Sequence, residues 1–197
     1  KLPDSNRGAF LFSGVNELNN AQMKAWDNQY PDSTEYSHFY GTYIQEVPRT
    51  NIIEYLNAQM HEFYTFMNSI PGAKLFEVYK EGKWSIKQII GHIIETERIF
   101  SYRALRLSRG DNTPLPGFEQ DHYVSASNYN ERSMANLANE YLAVRISTVH
   151  LLQNMTEDMI LKSGKASNAD FTVRAIAYII AGHQQHHYNL IKEKYLS

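Results

Sequence analysis

The sequence contains no cysteine. Disulfides, thiolate metal sites and a cysteine nucleophile are therefore excluded together, while the compartment stays open, because a cysteine-free chain survives in either redox environment. Long apolar runs are missing as well. The longest, Ala175 to Ala181, lies between Arg174 and Gly182 and is too short to cross a bilayer. There is no basic stripe: 19 Lys and Arg stand against 21 Asp and Glu, for a formal net charge of −2 and a pI near 6.5. Nucleic acid and membrane are accordingly poor partners. No secretory pattern is visible, so a cytoplasmic location is expected. No segment alternates with period two, which argues against strands.

What the chain does have is 197 residues with 43% hydrophobic and 13% aromatic content, enough for one packed domain. Residues 1–34 are rich in Asn, Asp and Ser without sustained periodicity. They read as an N-terminal extension with little structure of its own, in which Met23 is a candidate natural start. Residues 35–197 carry four amphipathic helices. The first, about Thr50 to Ser69, places Ile52, Ile53, Leu56, Met60, Phe63 and Met67 on one side and ends at Pro71-Gly72. The second has a capping box in Ser85 and Gln88, with Trp84 and Ile89 as a hydrophobic staple, and runs to about Ser108 before Gly110. A long connection, Arg109 to Tyr129, contains Pro114, Pro116 and Gly117 and has the length of a segment that covers a site. The third helix begins near Asn130 or Ser133 and reaches Asn154, and the fourth spans about Thr172 to Tyr195. The expected fold is all-α, an up-and-down four-helix bundle with a long loop between helices two and three.

Chemistry concentrates in the fourth helix, at Gly182-His183-Gln184-Gln185-His186-His187. His183 and His187 project only about 40° apart, on the face shared with Ile176, Ile180 and Leu190. Two such imidazoles can ligate one metal ion, and a third ligand must come from another element. His92, at the edge of the second helix's apolar stripe, is the natural third. A lone histidine on an apolar face is usually a core residue bonded to a neighbour. Three are costlier to accommodate, because each buried nitrogen left without a partner costs about 1–3 kcal/mol, whereas one cation satisfies three lone pairs at once. His186 lies about 60° off His183 on the other flank and ranks below His187. His61 and His150 fall on solvent-facing sides.

The chain also resembles the DinB/YfiT-like superfamily of bundle metalloproteins, over roughly Glu35 to Leu196. The matching pieces are Lys83-Trp84-Ser85-Ile86-Lys87 with Gly91-His92, then Glu95-Thr96-Glu97-Arg98. They continue with Leu115-Pro116-Gly117-Phe118 and Asp121, and end with Arg174-Ala175, Gly182-His183 and His186-His187. The resemblance implies a metal site of one histidine from helix two and an H-x3-H pair from helix four, here His92, His183 and His187. It also implies thiol S-transferase activity of the bacillithiol-transferase kind or a metal-dependent hydrolase, and homodimerisation.

Three neutral ligands leave one or more positions open on a divalent ion, zinc or nickel by donor type. The expected function is a metal-dependent enzyme acting on a small molecule. Thiol transfer to small electrophiles leads, with the low-molecular-weight thiol as co-substrate because the chain has none. Hydrolysis by metal-activated water is the alternative, and a non-enzymatic metal-stabilised binding or stress-response protein the second alternative. Glu95, one turn after His92, is a candidate to orient a ligand or act as general base. Arg103 could hold an anionic group. Asp121, His122 and Tyr123 could close over the ion from the long loop. A zinc peptidase of the H-E-x-x-H type is excluded, since Gln184 stands where its glutamate would be.

Overall fold

The computed structural model describes residues 24–197. The chain forms a short helix α1 (Gly41–Ile44), then α2 (Ile52–Ser69), α3 (Ile86–Ser108), α4 (Gln120–Ala126), α5 (Met134–Gln153) and α6 (Glu157–Ile160). A hairpin of β1 (Ser163–Ala166) and β2 (Ala169–Thr172) follows, and α7 (Val173–Lys194) ends the fold. The four long helices α2, α3, α5 and α7 make the expected bundle.

Their starts follow side-chain chemistry. Asn51 caps α2 through Ile53 N and Glu54 N. Ser85 and Gln88 close the capping box of α3. The Ser133 hydroxyl accepts from Asn136 N at α5, and that of Thr172 from Ala175 N at α7. Gly110, at φ +75°, stops α3 in a conformation that suits glycine.

The course of the bundle refines simple alternation. Tyr195 Oη donates to Trp84 O at one end while Phe100 packs on Phe171 towards the other, so α3 and α7 are antiparallel. Gln59 meets Arg145 and Phe63 meets Tyr141, so α2 and α5 are antiparallel too. Ser85 bonds Asn130 and Arg98 bonds Glu140, which makes α3 and α5 parallel neighbours. A chain leaving α3 must therefore travel back the full helix, about 34 Å for 23 residues, before α5 can begin. That return is the physical reason for the long loop. It is also what brings Gln120 and Asp121 to the end of the bundle where α3 starts.

Three features depart from expectation. Residues 24–34 pack against the bundle: Trp26 is fully buried and its indole N–H donates to Leu152 O at 3.0 Å, and the Tyr30 ring meets Tyr178 edge-on. The candidate start at Met23 lies outside the described residues. The long loop is not irregular throughout, since it contains α4. The antiparallel β1–β2 hairpin turns through Ser167 and Asn168, both at positive φ, and Leu115 of the long loop bridges to Ala166 beside it. Two apolar clusters fill the interior, one around Trp26, Ile52, Phe171 and Tyr178, the other around Met60, Phe63, Ile90 and Tyr141. No described helix is long and apolar enough to cross a membrane.

Candidate metal centre

The i, i+4 pair of α7 and His92 of α3 meet inside the bundle. His92 Nε2 lies 3.0 Å from His183 Nε2, and His187 Nε2 lies 3.2 Å from the same atom. All three residues are buried, at 2%, 6% and 8% exposure. A ring nitrogen carries either one proton or one lone pair, so His183 Nε2 can complete one in-plane hydrogen bond, not two. Ligands around a tetrahedral ion at metal–nitrogen distances of 2.0–2.1 Å sit about 3.3 Å apart, and at right angles about 2.9 Å. These two separations fall between those values, and the three donor nitrogens all lie within 4.8 Å of one another. The donor set fits a divalent ion.

The second ring nitrogen of His92 supports this. His92 Nδ1 is 3.4 Å from Thr96 Oγ1. A proton on Nδ1 aimed at that hydroxyl leaves the Nε2 lone pair facing the other two histidines. His187 Nδ1 is buried and has no hydrogen-bond partner among the described residues. Burial pushes the His92 pKa down to about 4. It depresses His183 and His187 as well, reinforced by the neighbouring imidazoles. All three are therefore neutral at pH 7, the form a metal requires.

Local packing holds the rings in place. The Trp84 ring lies 4.8 Å from His92 and the Tyr43 ring 5.3 Å from His183. Gly182 is required for the second contact: a Cβ there would stand 1.9 Å from the Tyr43 carbonyl oxygen of α1. Gly91 plays a similar part, since a Cβ would enter the Tyr129 ring at 2.3 Å.

The cluster opens on one side to a cleft of about 320 Å³, lined by Tyr79, Lys83, Trp84, Asp121, His187 and Tyr195 among others. Asp121 thus lines the same cleft as His187. His122 and Tyr123 are exposed and do not line it; the Tyr123 ring instead leans on Phe118. His186 is exposed beside Tyr43 and His187 and is outside the converging set. Glu95 does not line the cleft; its carboxylate faces Tyr129, whose phenol pKa is held up by burial and by that carboxylate, while Glu95 Oε2 is buried without a hydrogen-bond partner among the described residues. Arg103 is buried at the opposite end, where its Nη2 donates to Pro116 O at 3.0 Å and Ser167 Oγ at 2.8 Å. It fastens the long loop to the hairpin and is remote from the histidines.

One group of residues escaped the sequence reading. Arg145 is fully buried and holds Glu97 through two bonds, Nε–Oε1 at 2.8 Å and Nη2–Oε2 at 2.9 Å. The signal was available: Glu97 follows Ile93, and Arg145 follows Tyr141, by one helical turn on core-facing stripes. Opposite charges at inward positions of two helices point to a buried pair.

A helical bundle with three inward histidines on two of its helices defines a class of fold with a built-in metal-ligand set. Residues 55–191 match the DinB superfamily, and the chain belongs to that superfamily. A protein of Oceanobacillus iheyensis, whose name provisionally assigns it as a metal-dependent hydrolase, is 28% identical over 159 residues, covering 75% of this chain and 89% of that one. Among solved structures, YfiT from Bacillus subtilis is described as a probable metal-dependent hydrolase with an unusual four-helix bundle topology. It superposes with a TM-score of 0.62 at 14% identity, over 83% of this chain and 89% of that chain. At that identity the likeness bears on the fold alone.

Proposed function

We propose that the protein is a metal-dependent hydrolase of small molecules, with His92, His183 and His187 as ligands of one divalent ion and Asp121 as the acid–base group. The observation that carries this reading is the convergence of three buried, neutral imidazoles, one of which, His187, lines an open cleft. A divalent ion there would act as a Lewis acid and bring the pKa of a coordinated water to about 7. The chain's own residues supply the rest. Three ligands from two helices leave coordination free on the cleft side, where His187 borders the opening. Asp121, on the facing wall, is the cleft's one carboxylate among the lining residues and can take a proton from the attacking water and return it to a leaving group. Tyr79, Trp84 and Tyr195 offer apolar walls, and Lys83 a positive charge. At about 320 Å³ the cleft suits a small molecule rather than a polypeptide.

The names borne by relatives support hydrolysis over thiol transfer, and nothing in the cleft selects a thiol. The test is turnover of an ester and amide panel by zinc- or nickel-loaded protein, with and without a low-molecular-weight thiol. Hydrolysis without thiol is expected, lost on chelation and in His187→Ala, and lowered in kcat by Asp121→Asn at unchanged metal content. Turnover that appears only with thiol would replace this reading by the transferase. Binding of metal without turnover of either kind would favour the non-enzymatic alternative.

A further inference from the structure

The polar cluster around Arg145 lies between the two apolar clusters of the core and joins all four long helices. Besides Glu97 on α3, the guanidinium donates to Gln184 Oε1 on α7 at 2.6 Å and to Gln59 Oε1 on α2 at 3.0 Å. Tyr141 Oη donates to the same Gln184 oxygen at 2.8 Å, and Gln59 Nε2 donates to the backbone carbonyl of Ala181 at 2.9 Å. None of these residues touches the cleft that borders His187. Exposure is 0% for Arg145 and Tyr141, 1% for Gln184, 3% for Glu97 and 5% for Gln59.

The attachment points bracket the histidines. On α7 the cluster grips residues 181 and 184, on either side of His183. On α3 it grips Glu97, five residues and about 7.5 Å beyond His92. One planar guanidinium with fixed donor geometry thus spans the two helices that carry the ligands. A buried ion pair of this kind is often replaceable by packed apolar residues with no loss of stability, so stability alone does not account for it. We propose that Arg145, with Glu97 and Gln184, is a brace that sets the spacing and rotation of α3 relative to α7, and through them the separation of His92 from His183 and His187. Arg145 is a positioning residue: it acts through the helices, never on the ion. The inference rests on the metal reading of the three histidines.

The experiment separates fold from site. In the full chain, Arg145→Met, Glu97→Leu, Gln184→Met and Tyr141→Phe together replace the brace by apolar groups. Zinc affinity is read by competition with a chromophoric chelator, and coordination geometry by the visible spectrum of the cobalt(II) form, beside thermal unfolding of the metal-free protein. The expected result is a folded protein whose zinc affinity falls by about ten-fold or more, equivalent to about 1.4 kcal/mol, with displaced cobalt bands. A folded variant with wild-type zinc affinity and an unchanged cobalt spectrum overturns the brace. Should the fourfold variant not fold, Gln184→Met keeps the Arg145–Glu97 pair and the Gln59–Ala181 contact and cuts the direct bonds of Arg145 and Tyr141 to α7. It should show a smaller loss in the same direction, and wild-type values there overturn the inference equally. Failure of the wild-type chain to bind zinc or cobalt at all would instead remove the metal reading, and the brace with it.

Discussion

Acid should destabilise the metal-free protein in a pH range where its carboxylates are still ionised. Free histidine has a pKa of about 6.5. In the folded protein burial holds His92 near 4, and His183 and His187 are depressed as well. Above pH 6.5 the imidazoles are neutral in both states and contribute nothing to the pH dependence. Below it the unfolded chain takes up protons that the folded chain refuses, so stability falls as pH falls. A group so depressed contributes up to about 1.4 kcal/mol per pH unit, and the three imidazoles act in the same direction. By pH 5 His92 alone accounts for a loss of about 2 kcal/mol, to which His183 and His187 add in the same direction. The carboxylates held low by partners, such as Glu35 beside Arg174 and Glu140 beside Arg98 and Arg132, add their losses only nearer their ordinary range, about 4. Urea unfolding of chelator-stripped protein, followed by circular dichroism at pH 7, 6, 5.5 and 5, measures this directly. Replacing His187 by Leu should make the slope shallower. A change below about 1 kcal/mol between pH 7 and 5 would refute the burial of three neutral imidazoles.

Gly182→Ala should destabilise the protein by about 2 kcal/mol or more even after the gain of about 1 kcal/mol in helix propensity, because the new Cβ meets backbone at Tyr43 and no rotamer can relieve it. Thermal unfolding should show a drop of about 5 °C or more, and an unchanged or raised Tm would count against the close approach of α1 and α7. Trp26→Ala should cost about 3–5 kcal/mol as a large core deletion with a lost hydrogen bond. A cost under about 1 kcal/mol would mean that residues 24–34 are dispensable to the domain. Glu95→Gln should leave metal content and turnover unchanged, since its carboxylate faces Tyr129; a loss of either would return Glu95 to the site.

The bundle was legible because its signals are local. Ser85 and Gln88 announce the start of α3, and the i, i+4 spacing of His183 and His187 survives in any helix that forms there. Pairing His92 with them needed only the inference that buried imidazoles seek a common partner. What was hidden depends on how elements meet. The parallel run of α3 and α5 cannot be read from either helix, yet it decides that Asp121 reaches the cleft while Arg103 does not. The hairpin escaped because its strands are four residues each and its turn uses Ser167 and Asn168, without the glycine that usually marks such turns. Trp26 lay in a stretch with no periodicity, and long-range contacts such as its bond to Leu152 and that of Tyr30 with Tyr178 tie that stretch to the core. Glu95 and Glu97 sit two residues apart. Helical projection separates them by about 200°, and it is Glu97 that turns inward to Arg145.

The central claim is that three histidines hold one ion, and its most direct test is metal content by inductively coupled plasma mass spectrometry on untagged protein, wild type beside His187→Ala. The account requires close to one zinc or nickel per chain in the wild type and loss of it in the variant. No metal in either, after zinc and nickel have each been added back, would contradict it and leave the three imidazoles as packing residues of the core.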